Sequence, residues 1–214
     1  MSKIININTN LEQAVEAASG VYRSGGVFVY PTDTIYGFGG DPFNPGAVEA
    51  INRIKGRDES KRFIQLVDSI DTLSEYVQLD DNRYRGLLEN IWPNPVSVIL
   101  ALKDIYAVRL GTETVAYRIP NERFCSALLS KLKAPLISTS VNRSGSSALN
   151  DAGLIAAEFG ENIDLLCSSD TEGKQEQTAP AAVASTIIDL TGSDGPVLIR
   201  EGSISFSSIM EHYC

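Results

Sequence analysis

The sequence predicts an α/β fold in which one twisted, mixed β-sheet carries helices on its faces. Three observations lead there. Short apolar, β-branched runs recur between stretches of helical spacing along all 214 residues. The two kinds interleave without strict alternation, so a purely parallel sheet is not expected. No internal repeat divides the chain, and its length suits a single domain over residues 1–214 with a core of about 4–205.

Lys3–Ile7 alternates weakly and reads as an entry strand. Thr9 caps a helix through Arg23, with Leu11, Val15, Ala18 and Tyr22 on one face and Gly25-Gly26 at its end. Val27–Tyr30 is an apolar strand halted by Pro31, and Thr32–Gly40 reads as a loop of hydroxyls and glycines. Asn44-Pro45, a cap followed by proline at the first helical position, starts a helix to about Lys55. Phe63–Val67 is a strand, and a helical pair follows over Asp71–Gln78 and Asp80–Trp92. Val96–Leu102 and Val115–Ile119 are strands. Asn121–Lys133 is helical, burying Phe124, Leu128 and Leu132. Ala134–Ile137 turns a helix end into a short buried strand. Asn150-Asp151 caps a helix stopped by Gly160, and Ile163–Cys167, Val183–Leu190 and Pro196–Arg200 complete the strands. Ser168–Pro180 is the one extended polar, turn-rich stretch.

Composition narrows the function. A formal charge of −9 argues against nucleic-acid binding by the whole surface, although Lys55, Arg57, Lys61 and Arg62 gather within eight residues. No apolar run approaches a membrane span and no signal peptide opens the chain. Cys125, Cys167 and Cys214 lack metal-ligand spacing; the first two read as buried thiols, which suits a reducing cytoplasm. The single histidine, His212, sits beside the C-terminus, so histidine acid/base chemistry in the core is not expected. Walker, dinucleotide-binding, nucleophile-elbow and zincin motifs are all missing.

What remains is a repeated pattern: an apolar element ends and small hydroxyls or cations follow at once. Ser138–Gly145 places hydroxyls, an amide, Arg143 and a glycine just past a strand, either as an anion cradle or as a polar turn. Pro31–Gly37 flanks Asp33 with threonines, so Asp33 either meets a ligand or caps the turn. Lys55-Gly56-Arg57 suits phosphate oxygens, and equally a helix C-terminus. Thr114 and Arg118 face one side of a strand, where Arg118 meets either a core carboxylate or a ligand carboxylate. Ser185-Thr186 and Arg200 repeat the pattern. Such residues support charge positioning and phosphate neutralisation, the needs of nucleotidyl transfer to a bound acid.

In order, these clusters resemble the YrdC/TsaC family of threonylcarbamoyl-AMP synthases. The matching pieces are Pro31–Gly37, Lys55-Gly56-Arg57, Trp92-Pro93-Asn94-Pro95, Tyr117-Arg118-Ile119-Pro120, Ser140–Gly145, Ser185–Thr191 and Arg200-Glu201-Gly202. The resemblance implies a YrdC-like domain with a concave basic cleft. It implies an enzyme converting L-threonine, bicarbonate and ATP, aided by Mg²⁺, to threonylcarbamoyl-AMP and pyrophosphate for tRNA modification through partner proteins. It carries Thr32, Arg118, Ser140 and Ser185 over as threonine-binding, and Lys55, Thr114, Asn142, Asn150 and Arg200 as ATP-binding. Lys55, Arg57, Ser140 and Asn142 become a catalytic tetrad, with no protein ligand to a metal. The chain departs from the family at Asp58–Leu66, which lacks the usual threonine-site histidine. The alternative class is an RNA-binding module without synthase activity, in which Lys55, Arg57, Lys61, Arg62 and Arg143 dock on tRNA or duplex RNA.

Overall fold

A computed structural model describes residues 2–57, 62–79, 82–169 and 183–213. Lys61, Asp80, Cys214 and most of the Ser168–Pro180 stretch lie outside the described residues. In chain order the elements are β1 (Lys3–Asn6), α1 (Leu11–Arg23), β2 (Phe28–Tyr30), β3 (Gly37–Gly39), α2 (Pro45–Lys55), β4 (Ile64–Leu66), α3 (Ile70–Tyr76), α4 (Asn82–Ile91) and β5 (Val96–Ala101). They continue with α5 (Asp104–Leu110), β6 (Thr114–Arg118), α6 (Arg123–Leu132), β7 (Leu136–Ser140), α7 (Ala152–Phe159), β8 (Leu165–Ser168), β9 (Thr186–Asp189), β10 (Val197–Arg200) and α8 (Phe206–Met210).

The strands form one sheet in the order β1-β8-β2-β3-β7-β4-β6-β5-β9-β10. It is mixed, as the sequence predicts: β1/β8, β2/β8, β4/β6 and β5/β9 pair parallel, and the other neighbours antiparallel. The two-residue side-chain period divides the core. Phe28 and Tyr30 pack with α1 and α6, while Val29 packs on the other face with Ile51 and Ile54 of α2 and Phe159 of α7. A third cluster joins β5 and β6 to α3 and α4, and Ile209 of α8 belongs to it.

Most boundaries agree with the sequence to within two residues, and the exceptions have physical causes. Thr32–Gly40 contains β3, which has Phe38 between two glycines and so lacks the apolar run of a strand. A Cβ on Gly39 would lie 2.7 Å from the Tyr30 ring and 2.9 Å from the Phe28 ring, so bulk there is excluded by packing. The N-cap of α1 is Asn10 rather than Thr9, without a side-chain capping bond. The helix expected over Asn121–Lys133 begins at Arg123, capped by Glu122, which accepts from the Cys125 N–H at 2.8 Å. Asp151 alone caps α7. The short helices α5 and α8 were not predicted; both are under two turns long and carry little periodic signal.

Candidate active site

Three sheet strands end on a predicted site residue: Arg118 closes β6, Ser140 closes β7 and Arg200 closes β10. The β9 start brings Ser185 alongside, because β9 runs antiparallel to β10. These ends, with the β2–β3 loop, line a cavity of about 460 Å³ that also takes in Thr32, Thr34, Arg57, Arg62, Ile64 and Asn142. Ligands of open α/β sheets bind outside the carboxyl ends of strands.

One wall is a closed hydrogen-bond cluster. Asn44 caps α2 by accepting from the Gly46 and Ala47 N–H groups, and Gly56 stops the helix in a left-handed conformation (φ 56°). That geometry turns Lys55 inward, where it is buried and donates to Ser140 O at 2.5 Å, Asn142 O at 3.0 Å and Asn142 Oδ1 at 2.9 Å. Three donors meet three acceptors, a match that only the protonated amine makes. Burial first, then the adjacent Arg57 charge, pull Lys55 down to about 8. Ser140 Oγ donates to Asn142 Oδ1 at 2.6 Å, and Asn142 Nδ2 holds Arg143 O and Ser146 O at 3.0 and 2.7 Å. Arg57 stands beside them over the Phe63 ring, 4.8 Å from its centre, and donates to Arg62 O at 2.9 Å. Burial lowers its proton affinity.

The opposite wall is looser. Arg118, 3% exposed, has its Nη2 3.3 Å from Asp33 Oδ1 and its Nη1 3.4 Å from Thr34 Oγ1, while its Nε has no hydrogen-bond partner. Of the two partners left open for Arg118, the structure supplies a carboxylate from inside the fold, and the side chain still lines the cavity. Thr32 Oγ1 donates to Ile35 O at 2.8 Å and accepts from Thr34 N–H at 3.1 Å, fixing the loop. Ser185 Oγ lies 2.9 Å from the buried Ser97 Oγ, and Arg200 Nη2 donates to Ser185 O at 2.7 Å. Burial and the nearby Arg118 charge depress Arg200. Gly202 explains the rest of its motif: a Cβ there would collide with the Ala184 and Ser185 backbone.

Not every predicted residue converges. Thr114 begins β6 opposite Ala101 and is not among the cavity-lining residues; neither is Asn150, whose Oδ1 accepts from the Tyr36 N–H at 3.2 Å, nor Lys55, which is buried behind the lining residues Ser140 and Asn142. Arg143 turns away to Glu158 (3.4 Å) and the Phe159 ring. Sequence reasoning missed Ser97, the contact of Thr34 with Arg118 and the pairing role of Asp33; two hydroxyls and a carboxylate are visible in the sequence, but not their partners. Among the described residues no group of three or more His, Cys, Asp or Glu could hold a metal. The cavity lining is arginine-rich, and Asp33 is already spent on Arg118, so the residues present do not fit a protein-held Mg²⁺. Also among the described residues, no helix is long and apolar enough to cross a membrane.

A mixed sheet whose strand ends gather arginines and hydroxyls into one cleft defines an α/β domain with an arginine-lined cleft. Residues 20–202 match the Sua5/YciO/YrdC family model, described as "Telomere recombination", and the chain belongs to that family. It is 28% identical over 212 residues to the threonylcarbamoyl-AMP synthase of Pyrococcus abyssi, covering 98% of this chain and 60% of that protein. The crystal structure of P. abyssi Sua5 complexed with L-threonine superposes with a TM-score of 0.84 at 25% identity, over 99% of this chain and 60% of that one. The E. coli YciO structure matches with a TM-score of 0.79 at 29% identity, over all of both chains. The chain thus spans about 60% of the length of the P. abyssi relative.

Proposed function

We propose that the chain is an L-threonylcarbamoyl-adenylate synthase. The observation that carries this reading is the pairing, across one cleft, of an unsaturated arginine with a preformed Lys55–Ser140–Asn142 cluster. Arg118 takes the threonine carboxylate as a fork, with Thr32, Ser140 and Ser185 around the rest of the amino acid. The threonine amine condenses with bicarbonate, releasing water and leaving a carbamate. A carbamate oxygen then attacks the α-phosphorus of ATP, forming the mixed anhydride as pyrophosphate leaves. Lys55, Arg57, Ser140 and Asn142 place and neutralise the reacting groups, and Arg200, Thr114 and Asn150 serve the nucleotide. Among the described residues none would hold Mg²⁺; where the metal is used it would come as part of the nucleotide substrate, adding charge neutralisation to that of the cleft arginines.

The threonine analogy comes from P. abyssi Sua5, a threonylcarbamoyl-AMP synthase whose crystal structure is a complex with L-threonine. The product serves tRNA modification through partner proteins in the cytoplasm, where the free, buried Cys125 and Cys167 are at home. RNA docking without catalysis has less support, since Arg57, Arg62, Arg118 and Arg200 line the cavity and Arg143 is paired. The test is pyrophosphate release from ATP. Release that needs both L-threonine and bicarbonate is expected; release independent of either one overturns the assignment.

A further inference from the structure

Arg118 is held in an unusual way for a buried guanidinium. Its counter-charge, Asp33, is itself buried, with 8% of its side chain exposed. The pair is not a fork: a single oxygen faces a single nitrogen at 3.3 Å, longer than the 2.7–2.9 Å of a well-made charged hydrogen bond. The other Asp33 oxygen accepts from the Asn121 N–H at 3.2 Å, which ties the β2–β3 loop to the segment after β6. A bidentate pair would fill the arginine and leave nothing for a ligand. No partner at all would leave an uncompensated buried cation close to Arg200, which is costly.

We infer that Asp33 is a positioning residue that acts through Arg118, neutralising and orienting the guanidinium while leaving most of its donors free for a ligand carboxylate. The inference rests on the proposed role of Arg118. Two opposing effects follow from removing the Asp33 charge. A ligand carboxylate gains attraction from an unshared cation, but the cation loses the contact that fixes its plane and is pushed by Arg200. Two-point recognition of a carboxylate depends on that plane, so the loss of orientation governs the outcome.

The experiment is a double-mutant cycle read by calorimetric titration with L-threonine and, separately, a non-hydrolysable ATP analogue. Asp33→Asn keeps the shape and the acceptor for Asn121. It is expected to weaken threonine about tenfold or more while leaving the analogue within about threefold. On an Arg118→Met background the same change should have no further effect on threonine. Unchanged or tighter threonine binding by Asp33→Asn overturns the proposal, as does an effect that adds fully to Arg118→Met. If Asp33→Asn does not fold, the double variant must fold, because an uncompensated Arg118 is then the cause; failure of both overturns it. A wild type that binds no threonine removes the proposed function instead. Asp33 is then read by the Arg118 side-chain N–H signals in NMR, expected to be sharp and slowly exchanging in wild type and lost in Asp33→Asn; identical signals in both overturn the proposal.

Discussion

The two walls of the cleft are built on opposite principles. Within the Lys55–Ser140–Asn142 cluster the polar groups are committed: three amine donors meet three acceptors, and Asn142 bridges Ser140, Lys55 and the loop beyond, although the buried Arg57 Nε beside it has no hydrogen-bond partner. On the opposite wall it is the Arg118 guanidinium whose contacts are long, at 3.3 and 3.4 Å, and whose buried Nε has no partner. In the proposed function the Lys55 cluster is preformed, while a ligand carboxylate completes the hydrogen bonding of Arg118. Preorganisation suits the half where phosphate charge must be stabilised during reaction, because dipoles fixed in advance need no rearrangement then. Incompleteness suits the half that must recognise a carboxylate, because the ligand supplies the missing bonds.

The largest effect that can break this contrast comes from Arg118→Ala. Truncating a buried charged partner costs enough to weaken L-threonine about a hundredfold, with the ATP analogue within about threefold. Equal losses for both ligands in titration calorimetry would erase the distinction between the walls. Lys55 gives the next effect, through pH. Its proton affinity in the fold lies below that of the unfolded chain, about 8 against 10.5, so the unfolded state binds the proton more tightly between those values. Stability therefore rises with pH from about 8 toward 10.5 and is flat below 8 as far as this group is concerned. Urea melts from pH 7 to 10 should show that slope in wild type and a shallower one in Lys55→Met. The smallest effect belongs to the far end of the same helix. Asn44→Ala removes the α2 cap and should cost about 1 kcal/mol in a thermal or urea melt. Both ligand affinities should stay unchanged, since Lys55 lies at the opposite end of α2, beside the Gly56 stop, and is held there by Ser140 and Asn142.

The sequence makes most of the sheet readable because its inner strands are buried on both faces and appear as unbroken apolar runs, as at Phe28–Tyr30. It hides β3, where two glycines yield to the rings of Phe28 and Tyr30. Within the site, strand-end residues such as Arg118, Ser140 and Arg200 are legible because cations and hydroxyls after apolar runs need a reason. Side-chain pairing is not legible. Asp33 and Arg118 are 85 positions apart, so a threonine-rich turn gives no sign that its acid meets that arginine. Arg143 illustrates the converse: its proximity in sequence to Asn142 suggests a shared site, yet it turns to Glu158 one helix later.

The position of β8 in the sheet bears on how the chain is made. Leu165 and Leu166, on one short strand wedged between β1 and β2, pair with Lys3 and Ile4 on one side and with Phe28 and Val29 on the other. During synthesis from the N-terminus, β1 and β2 therefore have no mutual hydrogen bonds and wait for a segment well over a hundred residues downstream. Phe28, Val29 and Tyr30, wholly buried at the end, stay partly uncovered until then. Such distant closure slows folding and lengthens exposure of sticky strands. The nascent chain is thus most vulnerable to aggregation before the ribosome has passed Leu166, and the cleft, whose β10 arrives later still, is among the last parts of the molecule to exist.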